Sequence, residues 1–169
     1  MVMLLRPKRG GFLRPFGCGQ FIYEYLSGQG PYASPIIDSS VGAPQADVFR
    51  YYKLALISVT ASNRATIAEE RLAKLQKRTI SPSNIEALTV KYLERIPYRY
   101  VGCRYHSFVV YFSTLRRLGW VEPSGYEEHS AFQRNYPEGK PRIYYRLTAK
   151  GIAVPESYWL NPYAVYRGK

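Results

Sequence analysis

The sequence predicts a mainly α-helical chain with a small β-hairpin wing, a helical extension before it and extended arms at both ends. Three observations predict this. An apolar stripe at helical spacing runs through residues 104–118 and stops at Gly119. A polar stretch and then a β-prone run follow it. Upstream, apolar residues recur at threes and fours from Val48 to Arg78. The expected divisions are a basic, Gly/Pro-rich arm and linker with a short helix over 1–45, and a long helix or helix pair over 46–80. A central domain over 81–153 and an aromatic tail over 154–169 complete the chain.

Residues 1–17 contain Arg6, Lys8, Arg9 and Arg14 and no acidic residue. Their Gly and Pro residues break any regular element. Such a segment reads either as an arm that orders on nucleic acid or as a solvated terminus. Residues 18–48 reverse the charge, with Glu24, Asp38 and Asp47 and no Lys or Arg. Gln20 to Leu26 is expected as a short helix with Phe21, Ile22 and Tyr25 inward. Ser27 to Pro44 is expected as a loop, with residues 35–37 as a local anchor.

The long pattern from Val48 to Arg78 places Leu54, Ile57, Ala61, Ala65, Ala68, Leu72 and Leu75 on one stripe. Ser58 to Asn63 is rich in β-branched and capping residues, so one long helix and a helix pair broken there both stay open. The stripe has two readings, docking on the central core or pairing with a second copy. Ser83 and Glu86 have capping-box spacing and open a helix to about Arg95, which Pro97 ends. Residues 98–103 then form a turn.

The helix 104–118 has Phe108, Phe112 and Leu115 at i, i+4 and i+7, with Tyr105 and Leu118 on the same side. Gly119 stands where a left-handed residue ends helices. Arg116 and Arg117 suit the negative end of the helix dipole. The opposite face carries His106, Val110, Ser113 and Arg117, with Ser107 and Thr114 beside it and Arg104 at the start. Small polar and basic groups on an exposed helix face fit a major groove. An ordinary solvated face has the same appearance. Residues 122–141 read as a polar loop, and Ile143 to Leu147 as a strand. Thr148 is expected to cap a last short helix. The wing over 122–147 brings Lys140 and Arg142 within reach of a phosphate backbone. Beyond Gly151, Tyr158, Trp159, Leu160, Tyr163 and Tyr166 lie among prolines, which argues for a clamp rather than a regular helix.

Two segments carry a resemblance. Leu115 to Glu122 looks like the end of a recognition helix entering a wing. Gly139 to Gly151 looks like the return strand of PadR-like and MarR-like winged helix-turn-helix regulators. The resemblance spans about residues 83–153. It implies a winged helix-turn-helix domain and a transcription regulator. The compact first helix and the long C-terminal dimerisation helix of those families have no counterpart here.

Composition narrows the partners. The 169 residues include 24 Lys and Arg against 12 Asp and Glu, a net charge of +12. This balance favours a polyanion, with nucleic acid ahead of membrane. Seventeen tyrosines suit interfaces and base stacking, or reflect a biased composition. Cys18 and Cys103 are far apart and lack Cys-x-x-Cys spacing, so they read as thiols in a reducing, cytoplasmic compartment. No apolar run is long enough for a bilayer. His106 and His129 are the only histidines, and no nucleophile elbow, Walker motif or dinucleotide fingerprint is present. The expectation is no enzyme, no metal and no cofactor.

The leading expectation is therefore a winged-helix DNA-binding protein, a transcriptional regulator or architectural binder of double-stranded DNA. Helix 104–118 would lie in the major groove, using Arg104, His106, Ser107, Ser113, Thr114 and Arg117. Lys140 and Arg142 would touch the backbone, and the basic arm would add affinity. The alternative is an assembly protein of a virus-like or ribonucleoprotein particle, with the winged helix as an interaction module. Homodimer or larger assembly stays open.

Overall fold

The computed structural model describes residues 17–29, 38–97, 104–127, 142–160 and 162. Their elements run α1 (Cys18–Ser27), β1 (Ala43–Pro44), α2 (Gln45–Leu75), α3 (Pro82–Arg95) and α4 (Tyr105–Arg117). There follow β2 (Val121–Glu127), β3 (Ile143–Leu147), α5 (Ala149–Ala153) and α6 (Glu156–Leu160). The fold is mainly helical with a three-stranded antiparallel sheet in the order β1-β3-β2. Among the described residues no helix is long and apolar enough to cross a membrane.

The chain divides into two compact units, and the boundary falls inside α2, between Tyr51 and Tyr52. One unit contains α1, the start of α2, the sheet and α4 to α6. The other contains the rest of α2 and α3. This differs from the single domain expected over 81–153, because α3 groups with α2 and α4 groups with the sheet. The physical reason is burial. α4 buries Phe108, Phe112, Thr114 and Leu115, whereas α3 buries no residue of its own.

In the sheet unit an aromatic ladder forms the core. Phe49 near the start of α2 packs on Tyr105 and Phe108, with ring centres 5.1 and 5.2 Å away. Phe108 stacks on Phe112 at 5.9 Å, and Phe112 meets Tyr145 of β3 edge-on at 5.1 Å. A second cluster joins Tyr23 of α1 to Trp159 of α6, and Trp159 to Trp120, at 5.2 and 5.0 Å. Such tilted and edge-on pairs suit the charge distribution of aromatic rings. Tyrosines share in this packing: Tyr25 and Tyr145 are buried. As expected, Phe21, Ile22 and Tyr25 of α1 point inward.

The expected hairpin is present as β2 and β3, although β2 runs on to Glu127 through residues that read as loop, and β1 lies wholly in the expected loop. β1 and β2 each carry a proline, Pro44 and Pro123, and both flank the central β3. An edge strand tolerates proline because one side of it needs no ladder bond. Irregular pairing between Pro123 and Glu127 accommodates Gly125 at φ 84°. The tail also departs from expectation, because Glu156–Leu160 is a short helix. Its Trp159 does clamp the tail: the ring is fully buried and its Nε1–H donates to Gly151 O at 3.1 Å.

In the helical unit α2 is continuous through residues 58–63, the single-helix alternative of the two. Its buried positions there include Tyr52, Leu56, Ala61, Ala65, Glu69 and Ala73. Leu54, Leu72 and Leu75, expected inward, are exposed. The Glu69 side chain is fully buried and accepts from the Arg78 guanidinium and from Ser81 N–H at 3.1 Å. Arg78 is the main cause that holds the Glu69 carboxyl below its usual range; burial opposes it and the Ser81 N–H adds to it. This staple fixes the turn between α2 and α3. The cap of α3 is Ser81 rather than Ser83: its hydroxyl accepts from Asn84 N–H at 3.4 Å, and Pro82 occupies the first turn. Pro97 follows the end of α3, as expected.

Candidate nucleic-acid interface

α4 is held at its C-terminal end as well as along its core face. Gly119 N–H bonds to Arg116 O, and Trp120 N–H to Leu115 O, at 3.0 and 3.1 Å. With Gly119 at φ 76°, this is a Schellman stop. Thr148 then ties the stop to β3 and α5. Its hydroxyl donates to Gly119 O and accepts from Gly151 N–H at 2.9 Å, while its N–H bonds to Trp120 O at 3.0 Å. Gly151 has no room for a side chain, since a Cβ there would stand 2.3 Å from Trp120 O. The cationic last turn of α4 is therefore fixed against the sheet.

The exposed face of α4 carries no acidic residue. Arg104 is its N-cap, and Arg104, His106, Ser107 and Arg117 are exposed, with Val110 between them. Ser113 is half-buried. Thr114 is a correction: it is buried, and its hydroxyl donates to Val110 O at 3.2 Å. It flanks the core side because Phe112 and Leu115 draw that sector of the helix inward. Tyr105, expected on the buried stripe, is 47% exposed in the first turn, where its ring meets Phe49.

An open groove of about 640 Å³ lies beside the end of α4, lined by Ser113, Arg116, Arg117, Glu122, Pro123 and Thr148 among others. Arg116 extends over the Tyr145 ring, its guanidinium carbon 5.0 Å from the centre. Sequence reasoning assigns Arg116 only to the helix dipole; its place beside β3 depends on pairing across the sheet. Among the described lining residues the one carboxylate, Glu122, is engaged by Arg146 at 3.2 Å. The groove thus presents two exposed arginines and little opposing charge.

Arg142 is ion-paired at 2.6 Å with Asp47, at the start of α2. Lys140, Arg6, Lys8, Arg9 and Arg14 lie outside the described residues. Among the described residues no three His, Cys, Asp or Glu side chains converge as a metal ion requires. Comparison with protein-family models, curated proteins and solved structures finds no match to the chain.

Proposed function

We propose that the protein binds double-stranded DNA as a winged helix, with α4 in the major groove and the β2–β3 hairpin on the backbone. The observation that carries this reading is the acid-free exposed face of α4, which continues into a groove flanked by Arg116 and Arg117. A helix of 13 residues is about 20 Å long and fits the width and run of a major groove. Arg104 and Arg117 bracket the face and supply phosphate contacts that set register. His106, Ser107 and Ser113 lie between them as candidates for base edges. The net charge of +12 supplies the long-range attraction.

The test is anisotropy of a labelled duplex across a salt series. Arg104→Ala and Arg117→Ala weaken binding while the fold survives. Each phosphate that is no longer neutralised flattens the log–log slope by roughly 0.9. Thr114→Val, at a buried position, leaves binding unchanged. Wild-type affinity in both folded arginine variants would remove α4 as the reading element. A wild-type chain that ignores duplex DNA at low salt would transfer the role to assembly with protein partners.

A further inference from the structure

The helical unit leaves two apolar stripes uncovered, and their charges are opposite. On α3 the stripe centres on Val90, 54% exposed, with Leu93 at 39%. At 3.6 residues per turn, Glu86 and Glu94 lie about 40° to either side of Val90. Both carboxylates are exposed. On α2 the stripe is Ala68, Leu72 and Leu75, the last two 40% and 81% exposed. Exposed Arg64 and Arg71 run along one flank of it. Exposed Glu70 points to the far side of the helix, since it is about 160° to 170° from the stripe's axis. One stripe is apolar and acidic; the other is apolar and basic.

A helix of 14 residues with no buried residue is marginal by itself in water. The acidic flanks of α3 suit a basic, apolar helix and disfavour nucleic acid. The complementary surface exists on α2, and among the described residues both stripes keep exposed apolar side chains. We infer that the helical unit self-associates as a two-fold dimer, with α3 of each copy docked on residues 64–75 of the other. A two-fold axis makes each pairing twice, so both exposed stripes are covered at once. Glu86 and Glu94 then face Arg64 and Arg71 of the second copy, around Val90, Leu93, Leu72 and Leu75. Such a dimer is independent of DNA binding and requires none of the residues of α4.

The experiment is sedimentation of the full chain over a concentration series. The wild type moves towards twice 19.5 kDa. Two charge-reversed chains, Glu86→Arg with Glu94→Arg and Arg64→Glu with Arg71→Glu, each lose the dimer. Mixing these two chains in equal amounts restores it, because both cross-pairings are complementary again. Leu75→Ser weakens association more than about tenfold, since a leucine leaves both symmetry-related contacts. Circular dichroism confirms that each variant keeps its helix content. A wild type that stays monomeric at every concentration overturns the inference. So does a dimer indifferent to both reversals, or a mixture that remains monomeric.

Discussion

Phe112→Ala is the sharpest test of how α4 is set in the sheet unit. The ring is fully buried, stacked on Phe108 at 5.9 Å and edge-on to Tyr145 at 5.1 Å. Removing a buried phenyl ring costs about 3–5 kcal/mol, from forfeited transfer energy and the cavity left behind. The two ring pairs carry part of that cost, about 0.5–1.5 kcal/mol each beyond area burial. For a chain of this size each kcal/mol moves the melting point by about 2–4 °C, so the fall is about 6–20 °C. Tryptophan fluorescence is the assay, because Trp120 and Trp159 are both buried in the same unit as Phe112. Val110→Ala, on the opposite face and half exposed, is the matched control and shifts stability within about 0.5 kcal/mol. If Phe112→Ala melts with the wild type, or if Val110→Ala costs as much, the phase assigned to α4 is wrong.

Close packing and ionisation supply two more tests. Gly151→Ala forces a methyl group to 2.3 Å from Trp120 O. Stability measured by urea unfolding should fall by about 1–3 kcal/mol, as overpacking typically costs, or by more. An unchanged urea midpoint would show that the α4 stop and α5 are not locked together. Glu69 has a folded-state pKa below its ordinary 4.5, chiefly through Arg78. Its contribution is therefore full above the ordinary carboxylate range and is lost as pH falls through the folded value. Urea midpoints measured on acidification should drop more steeply in the wild type than in Glu69→Gln. Parallel curves would remove Glu69 as a pH-dependent staple.

What the sequence reveals is local, and what it hides is not. α1, α4 and the end of α3 are legible because Phe21, Ile22 and Tyr25, then Phe108, Phe112 and Leu115, repeat at helical spacing. Gly119 and Pro97 mark stops that depend on one residue each. β1 is invisible because two residues, Ala43 and Pro44, become a strand only by meeting Tyr145 and Tyr144 about a hundred positions later. β2 is hidden by Pro123 and Gly125, which edge position and a bulge excuse. In α2 three leucines mislead. Core membership there goes to the expected Ile57, Ala61 and Ala65 together with Tyr52, Leu56, Thr60 and Glu69, while Leu54, Leu72 and Leu75 are exposed. A periodicity rule gives leucine the core by default. It cannot see that a carboxylate whose Oε1 accepts from Arg78 and Ser81 is able to take the inside position.

Arg116 links the core to the candidate interface. Its guanidinium rests on Tyr145, and Tyr145 rests on Phe112. The cation of the groove is therefore positioned by the same ladder that stabilises the unit. Arg117 stands exposed one residue further on. The two arginines should separate in experiment. Arg117→Ala lowers duplex affinity without moving the melting point. Arg116→Ala also removes a cation–π interaction, worth about 0.5–1 kcal/mol at an exposed site, so affinity and melting point fall together. Phe112→Ala, assayed well below its own transition, should weaken binding through the displaced Tyr145 and Arg116 although it lies nowhere near solvent. Affinity that is indifferent to Phe112 in a folded variant would mean that the groove does not depend on the ladder beneath it.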